Sequence, residues 1–174
     1  MKRRPCTEAA RTIPVSREDM MRYYDPERIQ GYCRVCDKYG LFWSCPPFDT
    51  PPLDSLPAWS RALLITQKTW VPADIGKDDL IRLFLDARKT LGEFMATQES
   101  DGAIAVIAGH CSGCPTCPRA RGGACCAPTR LRYSLESLGF DITGLVEGLA
   151  GQTLDWPESG PPDYLLVVGA LLIP

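Results

Sequence analysis

Eight of the nine cysteines in this chain stand in two tight groups. The first is Cys33-x2-Cys36-x8-Cys45, and the second is Cys111-x2-Cys114-x2-Cys117-x7-Cys125, with Cys126 next to it. A packed core does not require cysteines at such intervals. Thiolates are soft ligands, and this spacing suits zinc or an iron–sulfur cluster. Any fold the chain adopts therefore has to present two irregular loops able to close around metal.

The remaining sequence indicates where such loops can work. The odd cysteine total argues against a full set of disulfides. The start, Met1-Lys2-Arg3-Arg4-Pro5, is basic, but no apolar stretch of signal-peptide length follows. The longest apolar run, Leu165 to Ile173, is nine residues and contains Gly169, which is too short for a membrane span and suits a buried strand. The expected location is cytoplasmic, where patterned cysteines are more often metal ligands than cross-links. A net charge of -2 and a pI of about 5.4 argue against nucleic acid as a partner.

At 174 residues the chain reads as a single metal-binding domain over 1–174, with cysteine-rich segments at 33–47 and 111–128. Residues 1–14 read as a loose arm. Ser16-x-x-Asp19 resembles a capping box and starts a short helix, which Asp25-Pro26 bends or restarts. Five prolines between 46 and 57 exclude regular structure there. Arg61 to Thr66 reads as a strand. Asp78 to Glu99 is the clearest helix, because Leu80, Phe84, Ala87, Leu91 and Met95 make one stripe. Ala103 to Ala108, apolar on both faces, reads as a central strand. Thr129 to Leu138 reads as a helix with Gly139 just past its end, and Arg132 and Glu136 are spaced to pair across one turn. Ile142 to Leu149 reads as another short helix, and Tyr164 to Ile173 as a third strand. The expected fold is α/β or α+β, a small sheet of three or more strands layered with helices. Both cysteine loops are expected at one edge.

In the second segment, three thiolates at intervals of three can wrap a cuboidal cluster, as in ferredoxin-type runs. Zinc more often takes two ligands from each of two separated pairs. Cys111, Cys114, Cys117 and Cys125 are therefore the candidate ligands of an iron–sulfur centre, with [4Fe–4S] the leading reading and zinc the alternative. Cys126 is a further candidate ligand or a redox thiol. Gly113, Gly122 and Gly123 permit close backbone approach, and Arg119, Arg121 and Arg130 can offset cluster charge.

In the first segment, Cys33, Cys36 and Cys45 supply three candidate ligands. Either a fourth comes from elsewhere, with Cys6, Cys126 and His110 as the options, or one metal position stays open for chemistry. Tyr39, Phe42 and Trp43 can shield a centre or simply pack.

Two further motifs resemble a known family. Tyr24-x-Pro26-Glu27 leads into Cys33-x2-Cys36-x2-Tyr39-Gly40-x2-Trp43-x-Cys45-Pro46-Pro47-Phe48. Later, Cys111-x2-Cys114-x2-Cys117 leads to Cys125-x2-Pro128 and Arg132-x-Ser134-x-Glu136-x2-Gly139-x-Asp141. Both resemble an uncharacterised bacterial and archaeal family of predicted metal-binding proteins. The resemblance implies that the chain binds metal, as an iron–sulfur protein, through the seven cysteines from Cys33 to Cys125; the two segments together offer sites for one or two clusters. The family usually has arginine after the last cysteine, where this chain has Cys126.

Three functions follow. One is a redox protein that exchanges single electrons with a partner protein. Another is an enzyme using an open iron on a small-molecule substrate. The third is a zinc-stapled interaction module. No phosphate-binding loop, dinucleotide fingerprint, radical-SAM spacing or Gly-x-Ser-x-Gly competes.

Overall fold

The computed structural model describes residues 5–155 and 160–174. The basic start at Met1 to Arg4 lies outside the described residues. A five-stranded antiparallel sheet forms the frame, built from β1 (Cys6–Thr7), β2 (Arg11–Ser16), β3 (Arg61–Trp70), β4 (Ile104–Val106) and β5 (Tyr164–Ile173). Its order is β1-β3-β5-β4, with β2 pairing the same side of β3 as β1. The two long strands, β3 and β5, pair along their whole length, from Arg61 opposite Ile173 to Trp70 opposite Tyr164.

The sheet is covered on both faces. Ala62, Leu64, Val168, Ala170 and Leu172 face a core with Met20, Leu135, Leu138, Phe140, Leu145 and Val146. Alternate residues Ile65, Val167 and Leu171 face Ala87, Leu91 and Met95 of α4 (Lys77–Thr97). This is the period-two alternation of strands meeting the four-residue spacing of one helical stripe. Gly169 lies under α4 and beside β4: a Cβ there would meet Met95 Sδ and the Val106 carbonyl, each at 2.7 Å.

The arm reading of residues 1–14 does not hold for the described part. Arg11 to Ser16 hydrogen-bond along β3, and Cys6 and Thr7 continue the same edge. Pro14 fits because an edge strand can spare a donor. β4 is likewise an edge strand, paired only to β5, rather than a central one. It is apolar on both faces because Ala105 turns to α4 and Val106 to the opposite core.

The helices match the sequence where caps were readable. Ser16 caps α1 (Arg17–Met21), its hydroxyl accepting from Asp19 N–H at 3.0 Å. Asp25 caps α2 (Pro26–Arg34), with Pro26 in the first turn. The proline-rich stretch still forms one turn, α3 (Pro52–Ser55). The expected helix over 129–138 is broken. Pro128–Arg130 is a 3-10 turn, and α5 spans only Leu135–Leu138, capped by a Ser134/Ser137 box and ended by Gly139 at φ 104°. Ser134 competes for the backbone as an N-cap, which keeps Arg132 out of the helix. Asp141 then caps α6 (Ile142–Leu145), which runs on as a π turn over Val146–Ala150.

Candidate metal centre

The second cysteine segment hangs from the end of β4, and the first is bonded to the second. The second leaves the end of β4 and returns along it, Ile107 N–H donating to the Tyr133 carbonyl at 2.9 Å. Arg132 fixes that return. Its guanidinium makes a two-pronged pair with Glu99, with Nε to Oε1 at 2.6 Å, while Glu99 Oε1 also accepts from Ala105 N–H at 2.7 Å. Arg132 thus pairs with Glu99, just past the end of α4, and not with Glu136, because it lies ahead of α5 and not within a helix.

The first segment begins in the last turn of α2, where Cys33 follows buried Ile29 by one helical turn. Successive turns carry it onward, with Cys36 N–H to the Cys33 carbonyl at 3.1 Å, Tyr39 N–H to Cys36 at 3.1 Å and Cys45 N–H to Phe42 at 2.9 Å. Gly40 takes φ 72° and donates to the Pro46 carbonyl at 2.8 Å, closing the loop. Lys38 N–H points to Cys36 Sγ at 3.4 Å, and Gly113 N–H points to Cys111 Sγ at 3.3 Å in the second segment. Backbone donors on sulfur are what a metal-bound thiolate needs to spread its charge.

The two segments interlock. Trp43 Nε1 donates to the Gly123 carbonyl at 3.0 Å, and Ser44 Oγ accepts from Cys111 N–H at 2.8 Å. Arg119 donates to the carbonyls of Phe42, Cys45 and Pro47, and its guanidinium lies over the Trp43 ring. The Phe42 and His110 rings stack with centroids 4.1 Å apart. Arg119 is therefore a clasp between loops, while Trp43 and Phe42 serve the interface between the two segments.

Between them lies a small, partly open hollow. Four of its lining residues are Cys111, Cys114, Cys117 and Cys125, joined by Trp43, Pro118 and Leu131. Cys126 does not line it; it is exposed, and its sulfur approaches Cys114 Sγ to 2.8 Å. Among the described residues no three His, Cys, Asp or Glu groups meet at a single ion-binding point. The thiols are arrayed around space, and the donor set is all sulfur.

Residues 23–173 match the family described as predicted metal-binding protein (DUF2284). The chain belongs to this family. The match spans both cysteine segments and all of the sheet except the β1/β2 edge. No curated protein and no solved structure matches the chain.

Three thiols of the DUF2284 chain, Cys33, Cys45 and Cys114, are held above the ordinary thiol range. Burial, with Glu136, Cys36 and Cys45 nearby, pushes the Cys33 thiol up to about 11. Burial also raises Cys45, which feels both Cys36 and Cys117, so the two segments share one electrostatic neighbourhood. The contact with Cys126 pushes Cys114 up to about 11. His110 is pushed down to about 4 by burial and by the Arg88 and Lys38 cations. Arg88 reaches it from α4, with Nη1 3.3 Å from His110 Nδ1 and Nη2 3.0 Å from its carbonyl. Arginine only donates, so Nδ1 is the bare nitrogen and Nε2 holds the proton. Neither nitrogen then offers a metal a free lone pair.

Cys6 is in β1, at the sheet edge opposite β4. Sequence reasoning missed Arg88, Ser44 and Glu99 as positioning residues, since each acts on a partner far along the chain. Only Arg88 left a trace, a cation beside the apolar stripe of α4.

Proposed function

We propose that the DUF2284 chain is an iron–sulfur protein whose Cys111, Cys114, Cys117 and Cys125 hold a [4Fe–4S] centre, and that it passes single electrons to and from a partner protein. The observation that carries this is the pocket: four thiols from one short stretch line a single hollow. An all-thiol set is soft, and thiols spread around space suit a polynuclear core, whereas zinc gathers four ligands onto one ion. When bound, the group supplies one-electron redox chemistry.

The chain's own residues do the rest. Gly113 has room for no side chain, since a Cβ would sit 2.9 Å from the Arg130 carbonyl; it brings its N–H to Cys111 sulfur instead. Trp43, Pro118 and Leu131 wall the hollow and limit water. The Cys114 thiol gives up its proton on ligation.

The test is anaerobic purification with absorption, iron and acid-labile sulfide measured on one sample. Broad absorption near ~400 nm with about four irons per centre is the expected result. A colourless protein containing zinc overturns the redox reading and leaves a structural module.

A further inference from the structure

Cys114 Sγ and Cys126 Sγ lie 2.8 Å apart, although twelve residues separate them in the chain. The two thiols differ in their surroundings. Cys114 is half-buried and lines the hollow, whereas Cys126 is exposed and does not line it. The hollow's own thiols leave Cys126 without a task, yet its sulfur rests against one of them.

The backbone holds these two positions together by more than that contact. Gly113, next to Cys114, packs on the segment that follows Cys126: a Cβ on Gly113 would lie 2.9 Å from the Arg130 carbonyl. The same carbonyl accepts from Cys111 Sγ at 3.7 Å. Arg130 N–H in turn donates to the Ala127 carbonyl at 3.0 Å, which winds the chain into a single 3-10 turn just after Cys126. One joint at Arg130 therefore ties the start of the second cysteine segment to its end. Cys126 itself lies outside helix and strand, where a small shift of the side chain is least opposed. Two thiols placed so, one outside and one facing inward, suit thiol–disulfide exchange: the accessible sulfur meets the oxidant and its neighbour resolves the product.

We propose that Cys114 and Cys126 are a reversible disulfide pair, in which Cys114 is a metal ligand when the hollow is loaded and bonds to Cys126 when it is empty. The metal ligand is the thiolate, so a sulfur already in a disulfide is lost to the ligand set and the two states exclude each other. The oxidant is a small disulfide, R–S–S–R. Cys126 attacks one of its sulfurs as the thiolate, which forms Cys126–S–S–R and releases one R–SH carrying the proton that Cys126 gave up. Cys114 then attacks the Cys126 sulfur, and the second R–SH leaves with the Cys114 proton. Two cysteine thiols are oxidised, and one external disulfide is reduced to two thiols. Excess thiol runs the exchange backwards and returns Cys114 to the ligand set. The pair also keeps an emptied site on the reversible side of sulfur oxidation, because thiols do not recover sulfinic or sulfonic acids. The exclusion of the two states rests on the reading of Cys114 as a ligand; the bond itself does not.

The test uses the full chain and oxidised glutathione, added anaerobically in small excess to iron-loaded protein and to protein first stripped of metal and reduced. Non-reducing peptide mapping, bound glutathione and iron per chain are recorded for wild type, Cys114→Ser and Cys126→Ser. In stripped wild type the first bond to form is expected to be Cys114–Cys126, with no glutathione left on either sulfur, and excess dithiol is expected to reopen it. In loaded wild type the bond is expected only as iron is lost. Cys126→Ser is expected to load iron like wild type. A first bond elsewhere, between the neighbours Cys125 and Cys126 for example, overturns the proposal, and so does glutathione that stays on Cys126. Loss of iron from Cys126→Ser overturns it too, since Cys126 is then a ligand. Iron lost from Cys114→Ser, with no Cys114–Cys126 bond in stripped wild type, leaves the reading of the hollow intact and overturns this one. A Cys114–Cys126 bond formed while all the iron stays bound does the reverse: Cys114 is then no ligand, the exclusion of the two states falls with that reading, and the disulfide pair stands.

Discussion

Trp43 Nε1 donates to the carbonyl of Gly123 across 80 residues of sequence, at 3.0 Å. One bond thereby joins the first cysteine loop to the second, and the indole itself forms part of the wall of the hollow. The two cysteine segments are one structural unit, although 65 residues separate Cys45 from Cys111.

Trp43→Phe keeps an aromatic wall but leaves the Gly123 carbonyl unpaired. A destabilisation of about 1–2 kcal/mol is expected in urea unfolding. The bound centre should also bleach faster in air, because the smaller ring lets water and oxygen closer. An unchanged bleaching rate would show that the indole does not shield the hollow.

Ligand and bystander cysteines separate cleanly. Cys114→Ala should remove one metal centre. Cys6→Ala should leave metal content unchanged, because Cys6 sits on the opposite sheet edge. Metal analysis decides, and metal loss from Cys6→Ala would refute the placement of the ligands.

Metal uptake should release protons and strengthen as pH rises. The Cys33 and Cys114 thiols are held up at about 11, so they are protonated at neutral pH when metal-free, and metal must displace those protons. Apparent Co2+ affinity, followed by charge-transfer absorption, should increase steadily from about pH 6 to pH 8. The slope counts the protons released, one for each protonated thiol that binds. A pH-independent affinity would contradict ligation by these thiols.

Acid stability should depend on Glu99. Burial raises its proton affinity, but the Arg132 guanidinium and the Ala105 N–H outweigh burial and hold the carboxyl below its ordinary value. A carboxylate depressed in the folded state stabilises fully above its unfolded pKa of about 4.3 and loses that contribution as pH falls through the lower folded value. Glu99→Gln should therefore cost about 1–2 kcal/mol at pH 7 and little at the acid end. Unfolding curves at both ends of that range test this, and an equal loss at both would rule out the ion pair as its origin.

Gly169→Ala should destabilise the whole fold while sparing the thiols. The added methyl would lie 2.7 Å from both Met95 Sδ and the Val106 carbonyl. Met95 can shift, but the β4 backbone cannot, and overpacking of this kind costs about 1–3 kcal/mol. The expected fall in melting temperature is roughly 2–4 °C per kcal/mol. Unaltered melting would mean that α4 can ride away from the sheet.

The local sequence was sufficient wherever a feature is encoded within a few residues. The Ser16 cap, the restart at Asp25-Pro26, the Ala87, Leu91 and Met95 part of the α4 stripe and β5 follow from propensity, capping and periodicity over short windows, whereas Phe84 of that stripe is exposed. The thiols of Cys111, Cys114, Cys117 and Cys125 were legible as a set for the same reason, since 15 residues contain them all. Other features depend on partners distant in the chain. The pairing of Arg11 to Ser16 with β3 turned an apparent arm into an edge strand. The capture of Arg132 by Glu99 replaced an expected helical pair. The packing of α5 on α2 tied Asp25 N–H to the Gly139 carbonyl, more than a hundred residues away. A sequence specifies each side chain's chemistry, but which chemistries meet depends on how strands register and helices pack, and those are decided by burial of the whole core.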